Sequence, residues 1–408
     1  MKRRNLLKGI SLLPFAGGTL GSVVPSSFAT AAPAAKRDVL AELGLRTFIN
    51  AAGTYTAMTA SLMPQEVMDA INSSAKEFVM LNEVQDKVGA KIAEMCHAES
   101  AMVTAGCWSA MVLGTAGVLT STDAKKIALL PNLEGTGLKS EVVVQKSHMN
   151  GYDHALTNTG IKIVSVETAQ EAENAINDKT AMMWFLNREA PAGKIQHQEW
   201  LAIAKKHSLP TMIDMAADVP PVENLWKYND MGFDLVCISG GKAICGPQST
   251  GILMGKKDLI AAARLNGPPN GGNIGRGMKV NKEEMIGMYV ALDIYVKRDH
   301  QKEWKMWEEK IAHINDAVKN ISGVTTQVDI PPIANHSPSL MIAWDGTKIK
   351  TNPTDLGDKL RHGSPSIEVV SWEKEKENSI RITVFMLKPG QEKIVATRIK
   401  EELTAASA

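Results

Sequence analysis

Residues 235–248 read Leu-Val-Cys-Ile-Ser-Gly-Gly-Lys-Ala-Ile-Cys-Gly-Pro-Gln. The apolar run 235–238 predicts a short buried strand. Ser239 ends it, Gly240 and Gly241 turn the chain, and Lys242 follows at once. An amine left unpaired at the end of a buried strand is costly, so a lysine there asks for a task. The two glycines allow the backbone to approach a ligand closely. What that ligand is depends on the other groups the chain brings to the same strand end.

A second strand, 211–213, runs into Asp214 of Asp-Met-Ala-Ala-Asp. A carboxylate at the C-terminal end of a parallel strand points into the ligand crevice of an α/β sheet. The competing reading is a helix cap. Asp218 reads as a local cap or pair. Upstream, Thr104-Ala-Gly-Cys-Trp-Ser109 joins a strand to a helix. Small residues there let backbone N–H groups of Gly106 and Cys107 face an anion. His148 follows the strand 141–144 and reads either as a ring that stacks on a flat ligand or as a core imidazole. His154 is a further candidate that faces a substrate. Arg276, between Gly275 and Gly277, is a candidate for a carboxylate or phosphate, and Arg381, on a late strand, for a substrate carboxylate. A structural ion pair is the equal alternative for Arg381.

Together these groups match the needs of pyridoxal 5'-phosphate (PLP). A lysine amine must carry it as a Schiff base, which assigns Lys242. A carboxylate must hold the pyridine nitrogen protonated so that the ring accepts electrons, which assigns Asp214. Donors must cradle the phosphate, which assigns the Ser239 hydroxyl with the backbone of Gly106 and Cys107. A flat group must cover the ring, which assigns His148. The predicted catalytic set is therefore Lys242, Asp214 and His148. His154, Arg276 and Arg381 are the candidates for contact with the substrate.

Strand patterns at 101–104, 141–144, 161–166, 181–186, 211–213, 235–238 and 251–254 alternate with helical patterns at 64–78, 84–97, 107–119, 169–176 and 199–207. That alternation implies an α/β fold with a mostly parallel sheet between helices. Residues 265–277, rich in Gly, Pro and Asn, form a loop. One or two long helices follow over 282–321. Strands at 339–344, 366–370 and 380–385 and a closing helix at 391–403 make a smaller α+β domain. The expected organisation is an N-terminal segment 36–60, a large domain 61–280, and a connecting helix with the small C-terminal domain 281–408.

The 408 residues suffice for such a pair of domains. With 45 basic against 44 acidic residues, the chain has no basic excess of the kind a nucleic-acid surface needs. The four cysteines match no zinc spacing, and no metal site is expected. The first 35 residues differ in kind. Arg3 and Arg4 precede Leu-Leu-Lys, a weakly apolar stretch follows, and an alanine-rich segment closes it. This is the pattern of a cleaved twin-arginine signal, with export to the periplasm through that machinery and no stable membrane insertion.

Six segments in order carry a resemblance to a known family. They are Phe48-Ile-Asn-Ala-Ala-Gly-Thr, Leu81-Asn-Glu-Val-Gln-Asp-Lys-Val-Gly, Ala98-Glu-Ser-Ala-Met-Val-Thr-Ala-Gly, Asp214-Met-Ala-Ala-Asp-Val-Pro-Pro, Ser239-Gly-Gly-Lys-Ala-Ile-Cys-Gly-Pro-Gln and Gly275-Arg-Gly-Met-Lys-Val-Asn-Lys-Glu-Glu. The chain beyond residue 40 resembles the selenocysteine synthase and D-glucosaminate-6-phosphate ammonia-lyase family of fold-type I PLP enzymes. The resemblance implies the fold-type I transferase fold, with a seven-stranded type of sheet. It also implies Lys242 as the Schiff-base lysine, Asp214 as its pyridine partner, and a homo-oligomer with sites at subunit interfaces. Ser-Gly-Gly-Lys looks closer to the ammonia-lyase side, because the synthase favours Asp in the place of Gly241. An exported protein would not meet seryl-tRNA, so a small-molecule amine is the expected substrate. Two features depart from the family: the export signal, and Trp108 in the phosphate turn. The expected function is α,β-elimination with ammonia release from an amino acid or amino sugar acid. The alternatives are a PLP-dependent aminotransferase or racemase, and a non-catalytic periplasmic binding protein on the same fold.

Overall fold

Residues 180–186, Thr-Ala-Met-Met-Trp-Phe-Leu, are buried without exception, as a strand covered on both faces must be. The computed structural model, which describes residues 37–372 and 377–407, places this run near the middle of a large sheet. The expected signal, residues 1–35, lies outside the described residues. The chain forms two units, 1–47 and 48–408. Within the described part of the first, Asp38 caps the short helix Val39–Glu42 by accepting the N–H of Ala41.

The second unit opens with β1 (Ile49–Asn50). It then builds a sheet from β2 (Ser100–Thr104), β3 (Glu141–Gln145), β4 (Lys162–Val166), β5 (Thr180–Leu186), β6 (Thr211–Asp214), β7 (Leu235–Ser239) and β8 (Gly251–Gly255). The strand order is β2-β8-β7-β6-β5-β3-β4. Neighbours from β4 to β7 are parallel, while β8 runs antiparallel to both β7 and β2. The connection explains the reversal. Parallel neighbours need a crossover, and no helix lies between β7 and β8 to carry one, so the chain returns antiparallel. Because β8 reverses twice, the C-terminal ends of β2, β6 and β7 share one edge of the sheet.

The sheet separates two apolar cores by strand parity. Val143, Met183, Phe185, Ile213, Val236, Ile238, Ile252 and Met254 face one core with Trp200, Tyr228 and the helix Leu81–Met95. Val142, Val144, Met182, Trp184, Met212, Leu235, Cys237 and Leu253 face the other with the helix Gly106–Thr120.

A smaller sheet follows, from β9 (Val324–Asp329), β10 (Ser339–Trp344) and, after β11 (Ile367–Glu368), β12 (Ser379–Thr383). Its order is β12-β10-β9, antiparallel throughout, while β11 pairs in parallel with β1. The third core, around Trp307, Ile342, Ile382 and Val395, takes in Ile49 and Ala51. The entry segment thus belongs to the small lobe's core.

The long helical stretch expected over 282–321 is two helices, Lys282–Lys297 and His300–Val318. Arg298 between them is extended, and Asp299 caps the second by accepting the N–H of Lys302. Met285, Met288, Ala291 and Leu292 of the first pack in the large lobe's core, so that core extends past residue 280. β9 was not legible in the sequence: of Val-Thr-Thr-Gln-Val-Asp only Val324 is buried, and no clean alternation marks it.

Candidate active site

Parity and strand ends place the site. Met212 faces the core under the helix Gly106–Thr120 and Ile213 faces away, so Asp214 returns to the helix side. The same count along β7 takes Leu235, Cys237 and then Ser239 to that side. Asp214, Ser239, Lys242 and the first turn of the helix, Gly106, Cys107 and Trp108, line one cavity of about 720 Å³. It lies at the carboxyl edge of the sheet, where α/β folds bind ligands. Its far wall comes from the small lobe and the entry segment, through Tyr55, Asp329, Arg381 and Phe385.

Asp214 is 2% exposed. Its Oδ1 accepts the N–H of Ala216 at 2.9 Å and the thiol of Cys107 at 3.5 Å. No bond among the described residues engages Oδ2. Burial raises the carboxyl above its ordinary range, and the Ala216 N–H, the Lys242 charge and the Cys107 thiol oppose that rise. The Cys107 thiol is itself pushed well above the usual thiol range, first by its contact with the Cys237 sulfur and then by burial. It therefore keeps its proton and can donate it to Asp214. This link was not foreseen: the sequence assigned only the backbone of Cys107.

The helix Gly106–Thr120 has no side-chain cap, and its N-cap residue is Ala105. Its first N–H groups are therefore open toward an anion at the cavity. Gly106 has φ +83°, and Ser239 stands opposite at the end of β7. Lys242 is half-buried, and its side-chain amine makes no hydrogen bond or ion pair among the described residues. The glycines before it serve the fold rather than a ligand. A Cβ on Gly240 would lie 2.1 Å from Met288 Sδ, and one on Gly241 would lie 2.6 Å from the Gln248 backbone.

This donor set fits PLP: an amine, a buried carboxylate with one oxygen open, and a hydroxyl beside an uncapped helix start. Lys242 would hold the aldehyde carbon, Asp214 the ring nitrogen, and Ser239 with the backbone of Gly106 and Cys107 the phosphate.

Three other candidates lie elsewhere. His148 is fully buried and is not among the cavity residues. Its Nδ1 accepts the N–H of Leu186 at 3.1 Å, and its ring packs edge-on to Phe185 at 4.5 Å. Burial holds it at about 4, so the ring is neutral. It does not cover a ligand in the cavity; the aromatic side chain this loop brings there is Tyr152. His154 is exposed at the start of the helix His154–Thr157 and does not reach the cavity. Arg276 is exposed on the glycine-rich loop, away from it. That loop folds on itself, with Asn273 Nδ2 bonded to the Leu265 carbonyl at 3.1 Å and Asn270 Nδ2 to the Arg264 carbonyl at 3.2 Å. Arg381 does line the cavity, and its Nη1 pairs with Asp329 Oδ2 at 2.8 Å and donates to Ser339 Oγ at 2.9 Å.

Sequence reasoning missed Tyr55, Arg188, Gln248 and Asp329 at the cavity and read Asp218 as a local cap. Arg188 directly follows the β5 strand end and Asn187, a position that parallel-strand logic marks for scrutiny. Tyr55 and Asp329 come from distant chain segments and carry no such signal. All four cysteines are free. Among the described residues no helix is long and apolar enough to cross a membrane.

The aminotransferase class-V model matches residues 61–341. The chain is 26% identical to D-glucosaminate-6-phosphate ammonia lyase of Salmonella typhimurium, over 89% of this chain and 97% of that one. It is 23% identical to the 5'-C-glycyluridine monooxygenase-decarboxylase of a Streptomyces species, over 88% and 91% of the two chains. A solved structure of D-glucosaminate-6-phosphate ammonia-lyase superposes with a TM-score of 0.77 at 25% identity, covering 91% of this chain and 100% of that one. The chain belongs to the aminotransferase class-V family and is a PLP-dependent enzyme of the fold-type I architecture.

Proposed function

We propose that the protein is a PLP-dependent lyase that eliminates the β-substituent of an amino acid or amino sugar acid and releases ammonia. The observation that carries the reading is the likeness to an ammonia lyase along nearly the full length of both chains. A cavity lined by Lys242 and Asp214 supports it. Bound PLP supplies an electron sink for the charge left at the substrate α-carbon. The chain's own residues do the rest. Lys242 Nζ takes the α-proton as general base. Asp214 Oδ2 would keep a proton on the ring nitrogen, and Cys107 and the Ala216 N–H hold that carboxylate in place. Ser239 and the first turn of the Gly106 helix would hold the phosphate.

The purified protein is expected to be yellow and to release ammonia from 2-amino-3-hydroxy acids without any keto-acid acceptor. Turnover that requires an acceptor would replace the lyase reading with a transaminase one. Lys242→Ala is expected to abolish activity and borohydride trapping of the cofactor.

The reading extends to place and assembly. Export to the periplasm is supported by Arg3 and Arg4 ahead of an apolar and alanine-rich stretch. A homo-oligomer is supported by the exposed run Phe78, Val79 and Met80. Light scattering on the eluted protein checks the latter: a monomeric mass would dismiss it.

A further inference from the structure

One carboxyl group at the cavity has no task in the scheme above. Asp218 lines it with Lys242 and Asp214 and is 1% exposed. Its Oδ2 accepts Asn187 Nδ2 at 3.1 Å, and Asn187 is fixed in turn by the Tyr228 hydroxyl at 2.7 Å and by His197 Nε2 at 2.6 Å. Asn224 Nδ2 donates to the Asp218 carbonyl at 2.6 Å. The side chain is thus held in one orientation from behind. Its Oδ1 is buried with no partner among the described residues. A native fold rarely leaves such an atom unsatisfied, and catalysis is one of the few reasons to do so.

Burial pushes Asp218 up to about 7. The Asn187 bond opposes this, the Asp214 charge adds to it, and the charges of Lys242 and Arg188 lower it. Near neutral pH a large share of molecules therefore carry the proton, as a general acid requires. Elimination needs such a proton, because a β-hydroxyl is a poor leaving group. Asp214 is already engaged by Ala216 and Cys107.

We propose that Asp218 is the catalytic acid that protonates the departing β-hydroxyl of a 2-amino-3-hydroxy acid; this rests on the lyase reading above. Lys242 Nζ accepts the α-proton. The electron pair of that C–H bond forms the Cα=Cβ bond, and the Cβ–O bond breaks with its pair on oxygen. The Asp218 proton moves to that oxygen and water leaves. The Asp218 carboxylate is recharged by the Lys242 ammonium or by solvent. In net terms R–CHOH–CH(NH2)–COOH becomes R–CH2–CO–COOH and NH3, since the hydrolysis that frees ammonia returns the water lost.

The test compares leaving groups on the holoenzyme. Racemic serine loses hydroxide and needs an acid; racemic β-chloroalanine loses chloride and needs none. In Asp218→Asn, ammonia from serine is expected to fall by about 100-fold to 10,000-fold, and from β-chloroalanine by less than about threefold. Exchange of the α-proton with deuterated water, followed by NMR, stays near wild type, as do the yellow absorbance and the melting temperature. Asp218→Ala should show the same split between the two substrates, which covers the case in which Asn fails to fold. Equal loss on both substrates, or loss of exchange, overturns the proposal, because the carboxyl would then be positioning Lys242. Unchanged serine turnover overturns it too. If the wild type releases ammonia from neither probe nor from D-glucosaminate and its 6-phosphate, the lyase reading falls and takes this role with it.

Discussion

Asp214 and His148 show how far one residue's surroundings decide its part. Both sit at strand ends of the large sheet, and both are buried. Asp214 opens on the cavity with one oxygen unused, whereas His148 spends Nδ1 on the Leu186 backbone. The burial of the imidazole carries a pH consequence. Burial holds His148 and His197 at about 4 in the folded protein, while an unfolded histidine titrates near 6.5. Between those values the unfolded chain binds protons that the folded chain does not. Stability is therefore full above pH 6.5 and is lost as the pH falls toward 4, by roughly 3 kcal/mol for His148 at the limit. The thermal midpoint should drop between pH 6.5 and 4.5, and His148→Gln should flatten part of that slope. An unchanged slope in the variant would refute the assignment.

At the scale of elements, two contacts explain residues that the sequence left unremarked. β2 is an edge strand, and the buried Gln85 covers it. Its amide donates to the Val103 carbonyl at 2.6 Å and accepts the Val103 N–H at 3.0 Å. A side chain thus does the work of a missing neighbour strand. Gln85→Leu strands both backbone groups and should cost about 2–4 kcal/mol in a urea titration; a loss below about 1 kcal/mol would show that water or a shifted strand replaces it. The turn before Lys242 behaves in a similar way. A Cβ on Gly241 meets the Gln248 Cα and carbonyl oxygen at 2.6 Å, and both are backbone atoms with little room to yield. A Cβ on Gly277 meets nothing within 4 Å. Gly241→Ala should bind the cofactor on the order of tenfold more weakly and lose most of the yellow absorbance, while Gly277→Ala should keep it. Equal retention in both would mean that the turn opens freely.

For the whole molecule, the cavity exists because two lobes built from non-adjacent chain segments meet over one sheet edge. The entry segment supplies Ala52 to Thr56, the large lobe supplies Lys242 and Asp214, and the small lobe supplies Asp329, Arg381 and Phe385. The proposed export signal belongs to this scale as well, because the twin-arginine route moves folded proteins and would carry a bound cofactor along. Replacing Arg3 and Arg4 with lysine should hold the protein in the cytoplasm, read by fractionation; undiminished periplasmic protein would reject the twin-arginine assignment.

The parts legible in the sequence were those with local physical signatures. Continuous apolar runs such as 181–186 marked the buried strands, and the strand ends at Asp214 and Ser239 marked the edge where ligands bind. The glycines around Lys242 were legible as necessary, though for close packing against Met288 and Gln248 rather than against a ligand. Only the tertiary structure decided which side chains share the cavity. His148, His154 and Arg276 fall outside it, while Asp218, Arg188 and Tyr55 fall within it. Strand periodicity orients a residue with respect to its own sheet. Whether a loop residue reaches the cavity depends on where distant segments return, and that is set by the packing of three cores that no local pattern encodes.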